Sequence, residues 1–133
     1  MPLAVRSQNG FSLVELLIAI TIFAVGLLAV SGMQITAIKG NTKAVSVSAA
    51  SSLALSALEE FMIRPANAAL VTTDQASPAI WRDETLSGTG SYRIFYTVET
   101  DNPIDNVARI SVSVSGGDLQ RPVTMVGFKR IIK

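Results

Sequence analysis

The sequence predicts an α+β fold: a long N-terminal helix packed on a small antiparallel sheet of three to four strands. The first half of that helix suits a membrane and the second half is amphipathic. Three observations carry the prediction. No proline interrupts residues 11 to 64, and Pro65 then ends the stretch. No charge falls between Leu16 and Met33, close to the roughly 20 apolar residues a helix needs to cross a bilayer. Alternating apolar and polar residues then fill the C-terminal part, as half-buried strands require.

Residues 1 to 10 form a short polar head without an apolar core of its own. The apolar run begins after Gly10 instead. A conventional secretory signal would end beyond that run, near a small-x-small site such as Ala29-Val30-Ser31. Glu15 argues against this, because it places a carboxylate inside the apolar stretch, where a charge is costly without a partner. Arg6 and the amino terminus put positive charge on the cytoplasmic side.

Residues 11 to 33 are apolar all round, which fits lipid or the interior of a helical assembly. Farther along, Ala50, Leu53, Ala54, Ala57, Leu58 and Phe61 fall at helical spacing on one face. Ser48, Ser52, Ser56, Glu59 and Glu60 lie largely opposite, so this half is expected to pack on its own sheet. Gly26, Gly32 and Gly40 each weaken a helix by up to about 1 kcal/mol relative to alanine. Such glycines either permit close helix-helix approach or mark a segment that bends or unwinds.

Residues 65 to 90 read as a loop, with Pro65, Pro78, Gly88 and Gly90 and little periodicity. Trp81, within it, is expected to lie as a lid over a small core. Tyr92 to Glu99 alternates, with Tyr92, Ile94, Tyr96 and Val98 on one face. Asp101-Asn102-Pro103 signals a turn. Ala108, Ile110, Val112 and Val114 then point inward, with Arg109, Ser111, Ser113 and Ser115 outward. Gly116-Gly117-Asp118 reads as a hairpin turn, and the last strand runs from about Val123 to Phe128 or as far as Ile132. Three domains of organisation result: a head over 1–10, the helix over 11–64, and a globular region over 65–133.

Composition narrows the chemistry. The 133 residues suffice for one modest domain, and the 49% hydrophobic fraction is concentrated in the first third. Cysteine and histidine are absent, which excludes disulfides, Cys/His zinc sites, thiol nucleophiles and a histidine-based triad. No catalytic constellation appears and no cofactor is expected. Asp101, Asn102, Asp105 and Asn106 lack calcium-loop spacing and read as a turn, so no metal site is expected. Net charge is +1, and loss of residues 1 to 10 would leave ten basic and ten acidic side chains. Such a body has no broad electrostatic reason to bind DNA. The one basic cluster is Lys129, Arg130 and Lys133, read as a solvated strand end that protects an edge. Its functional alternative is a contact for a neighbouring subunit or for DNA.

The stretch Gly10-Phe11-Ser12-Leu13-Val14-Glu15, continuing through Leu16-Leu17-Ile18-Ala19-Ile20, resembles the N-terminus of type IV prepilins and pseudopilins. The run Ile22 to Gln34 is most similar to one subgroup of minor pilins. The resemblance implies a pilin-like fold and a single-pass inner-membrane precursor that later joins a pilus at the cell surface. It implies cleavage by a prepilin peptidase between Gly10 and Phe11, then N-methylation of Phe11. It implies that Glu15 attracts the N-terminus of a neighbouring subunit during assembly. It also favours the unwinding reading for Gly26 and Gly32. The partners implied are other minor and major pilins, the peptidase, inner-membrane lipid and an inner-membrane assembly platform. The head departs from the family pattern in having no basic residue next to the glycine.

Overall fold

A computed structural model describes residues 10–132. The head over 1–9, with Arg6, and the terminal Lys133 lie outside the described residues. The elements run α1 (Leu13–Ile63), α2 (Ala69–Thr72), β1 (Gln75–Leu86), β2 (Gly90–Thr100), β3 (Val107–Gly116) and β4 (Val123–Arg130). The sheet order is β1-β2-β3-β4, and every neighbouring pair is antiparallel. This is the α+β, pilin-like arrangement that the sequence predicts. The chain divides into two units, Met1–Lys39 and Gly40–Lys133.

The described part of the first unit is almost entirely helix. Its apolar side chains face outward on all sides, as with Leu28, which is 74% exposed. A window within α1 reaches a mean hydropathy of 2.7, and none of it is buried. Three hydroxyls here bond back within the helix. Thr21 Oγ1 donates to the Ile18 carbonyl at 2.8 Å, Ser31 Oγ to Leu27 at 2.9 Å and Thr36 Oγ1 to Gly32 at 3.1 Å. In hydrocarbon an unsatisfied hydroxyl is costly, so back-bonding to the preceding turn makes these residues tolerable there.

In the second unit, α1 buries Ser46, Ala50, Ala54, Ala57 and Phe61. The spacing follows one helical face, and small side chains bring the helix close to the sheet. The inner face of the sheet supplies Tyr92, Ile94, Val98, Ala108, Ile110, Val112 and Val114, all fully buried. Leu53 and Leu58 pack at the margin of this core. Gly127 on β4 is buried as well. A Cβ there would displace the tip of Met62 and crowd Leu58 Cδ1, so glycine lets β4 and α1 meet without moving either side chain. The hairpin register puts Gly127 opposite Ile110, within the same core layer.

One expectation needs correction. Residues 75–86 form a strand, where a loop was expected across 65 to 90. β1 is an edge strand with two register irregularities, between Gln75 and Ala79 and between Ile80 and Arg82. The first surrounds Pro78, which an edge strand accommodates because one side of its backbone is unpaired. Such irregularities erase the two-residue period that makes a strand visible in sequence. The chain turns after Gly116, where the Leu119 amide donates to the Gly116 carbonyl at 3.2 Å, and β4 begins at Val123 as expected. In that turn, Gly117 has φ +55, and the Tyr92 hydroxyl occupies the space a Cβ would need.

Trp81 sits as expected over the core end of α1. Its ring lies 4.8 Å from Phe61 and 5.7 Å from Tyr96, and the Arg64 guanidinium stacks 5.2 Å above it. The β2–β3 turn is held by its own Asp and Asn side chains. Asp101 and Asn106 adopt positive φ, and the Asn106 amide donates to Asp101 Oδ1 at 3.0 Å.

Candidate processing and assembly segment

The segment begins outside the helix. Gly10, Phe11 and Ser12 precede α1, and Phe11 is 78% exposed. Ser12 starts the helix. Its Oγ accepts the Val14 amide at 3.2 Å, and its carbonyl accepts the Leu16 amide at 3.1 Å. That is N-cap geometry, with one otherwise orphan donor satisfied by the side chain. Glu15 follows three residues later, in the first helical turn. Ser12-Leu13-Val14-Glu15 therefore has the capping-box sequence S-x-x-E, and a carboxylate at this position also favours the positive end of the helix dipole. The role of Ser12 was readable from that spacing, yet the prepilin resemblance alone does not point to it.

Glu15 is exposed and makes no hydrogen bond or ion pair among the described residues. It projects from a surface whose neighbours Val14, Leu16 and Ile18 are apolar and equally exposed. The segment thus combines residues outside the helix before the cap, a carboxylate one turn in with no partner among the described residues, and a long apolar helix behind. Among the described residues, nothing lies within 4 Å of where a Cβ on Gly10 would be.

Gly26 and Gly32 lie inside α1, which is unbroken through both. A Cβ at either would meet open space.

The basic C-terminal cluster does not form one patch. Lys129 turns inward and closes the end of α1. Its Nζ donates to the carbonyl of Phe61 at 3.0 Å, of Met62 at 2.6 Å and of Arg64. Three acceptors match the three N–H donors of an ammonium, and a cation at a helix C-terminus is favoured by the dipole. Burial draws the Lys129 amine below the ordinary lysine value. Arg130 stays exposed beside Ala66, Asn106, Ile131 and Ile132, and Lys133 lies outside the described residues. No group of three acidic or other metal-ligating side chains converges among the described residues.

Residues 5–31 match the model of the prokaryotic N-terminal methylation motif. The chain carries a prepilin-type N-terminus. The methylation motif spans the proposed scissile bond, the cap, Glu15 and most of the uncharged helix. No curated protein and no solved structure matches the chain. With the α+β arrangement described above, the motif supports a type IV pilin-like protein, and the exposed apolar helix fits membrane anchoring.

Proposed function

We propose that this chain is a minor pilin of a type IV pilus, closest to the PilV subgroup. It is made as a prepilin and held as a single-pass inner-membrane protein. A prepilin peptidase cuts between Gly10 and Phe11, and the new Phe11 amine is methylated. The subunit then enters a priming or tip complex through α1, with other minor and major pilins as neighbours and an inner-membrane platform driving assembly. Its role is structural rather than enzymatic.

The observation that carries this reading is the methylation motif set in register with an unpaired Glu15 at the head of an exposed apolar helix. The physical logic is direct. Cleavage creates a positive amine in or near lipid, and Glu15 offers the matching charge. Two ions that are each expensive in hydrocarbon cost less as a pair. Gly10 fits the same scheme. With no Cβ, it lets a peptidase approach the backbone closely. Unwinding near Gly26 and Gly32 belongs to the assembled filament in this scheme, since a glycine helix gives up little side-chain packing on opening.

The methylation motif is shared with pseudopilins, so a minor pseudopilin of a type II secretion system is the second reading. An adhesive or DNA-uptake tip module is weaker, because Lys129 is occupied at the end of α1.

The test is the intact mass of the protein purified from cells with and without the peptidase. Loss of residues 1 to 10 together with gain of one methyl group, only when the peptidase is present, is expected. An unprocessed chain in both cells would leave a plain membrane-anchored domain, and a cut near Ser31 would mean a secreted protein.

A further inference from the structure

A small groove in the second unit is lined by Lys43, Val47, Leu119, Gln120 and Arg121. Lys43 comes from α1 and the last three from the β3–β4 connection. The Lys43 ammonium is held by Gln120 Oε1 at 2.9 Å, which fixes one cation at the rim and leaves it further N–H donors. Arg121 is exposed and makes no hydrogen bond or ion pair among the described residues. Asp118, the one acid of the connection, does not line the groove. The floor, Val47 and Leu119, is apolar.

The position of this groove along the chain matters. The uncharged stretch runs from Leu16 to Ile38, which as a helix is roughly 35 Å long. A bilayer core is about 30 Å thick. Lys43 therefore follows the span closely enough to meet the headgroup layer on the far side. We propose that Lys43 and Arg121 form a clamp for the phosphate of an anionic phospholipid headgroup, which seats the globular unit on the membrane surface before assembly. An ammonium and a guanidinium fork supply complementary donors to phosphate oxygens. Val47 and Leu119 accept the glycerol and first methylene groups. The inference rests on the membrane reading above.

The full chain is reconstituted into vesicles of phosphatidylcholine alone, or with about one third phosphatidylglycerol. Backbone hydrogen exchange is followed across residues 117 to 121. Each basic residue near an anionic surface is expected to favour docking about fivefold, and the pair about 25-fold. Exchange of this connection should slow several-fold in the anionic vesicles. The slowing should disappear in the double variant Lys43→Gln, Arg121→Gln and weaken with added salt. Equal exchange in both vesicles overturns the clamp, as does a slowing that survives in the double variant. Alkaline extraction separates the two readings. A chain that resists extraction yet shows no lipid effect defeats the clamp alone, whereas a chain stripped from the vesicles defeats the membrane reading with it.

Discussion

Lys129 shows how much one side chain can carry in a small core. Its ammonium answers three carbonyls at the end of α1, a place where a helix otherwise leaves acceptors unpaired. Lys129→Met keeps the stem and removes the donors. The expected loss is about 1–3 kcal/mol in the unfolding free energy of the full chain, read by chemical denaturation in detergent. The pH dependence follows from the direction of the shift. Burial lowers the folded pKa below the unfolded one, so the cost of keeping the amine charged is present below the folded value and fades as pH rises past it. The difference between wild type and Lys129→Met should therefore be constant at acidic pH and change only where rising pH reaches the titration of the lowered amine. A slope at acidic pH would mean another group titrates against Lys129. Ser12 is the counterpart at the other end of α1. Ser12→Ala should cost about 1 kcal/mol at the first turn, visible as faster exchange of the Val14 amide, while Ser12→Asp should retain the cap. The Ser12 cap is legible in the sequence as S-x-x-E. The Lys129 cap is not, because its acceptors lie more than sixty residues away in the chain.

Among the elements, legibility followed burial. β2 and β3 place alternate residues in the core, and their inward sets, Tyr92 to Val98 and Ala108 to Val114, stand out in the sequence. β1 has no fully buried residue, carries Pro78, and shifts register twice, so its composition reads as a loop. The amphipathic half of α1 was readable from spacing. What spacing could not show is that alanines dominate the buried face, because the fit of Ala50, Ala54 and Ala57 against the sheet depends on partners the sequence does not place. Gly127 is the matching concession on the sheet side. Gly127→Val should displace Met62, crowd Leu58 and destabilise the second unit by about 1–3 kcal/mol. A shortened side chain at the facing position, Met62→Ala, should return part of that loss when combined with it. If the double variant is no more stable than Gly127→Val alone, the close approach is not the cause. The half-exposed ion pairs, such as Arg93 with Asp83 at 2.9 Å, matter less, at about 0–1 kcal/mol each.

For the whole molecule, the question is whether Glu15 acts within its own helix or between subunits. Two roles compete in the same carboxylate. At the third helical position it favours the N-terminus of α1, an effect worth under about 1 kcal/mol when exposed. In lipid it is also the nearest anion to the amine that cleavage would create. Glu15→Gln separates them, because glutamine keeps a capping-box side chain and removes the charge. Helix content and cleavage after Gly10 should then be nearly unchanged, while incorporation into filaments should fall by an order of magnitude or more. Sheared surface fractions compared with membrane fractions would measure this. The reason for so large a drop is that a neutral side chain leaves the incoming amine unpaired in a low-dielectric interior, where an isolated charge is far more costly than at a surface. If the glutamine variant assembles as well as wild type, the carboxylate serves its own helix, and the apolar faces of α1 alone must direct the subunit into the filament.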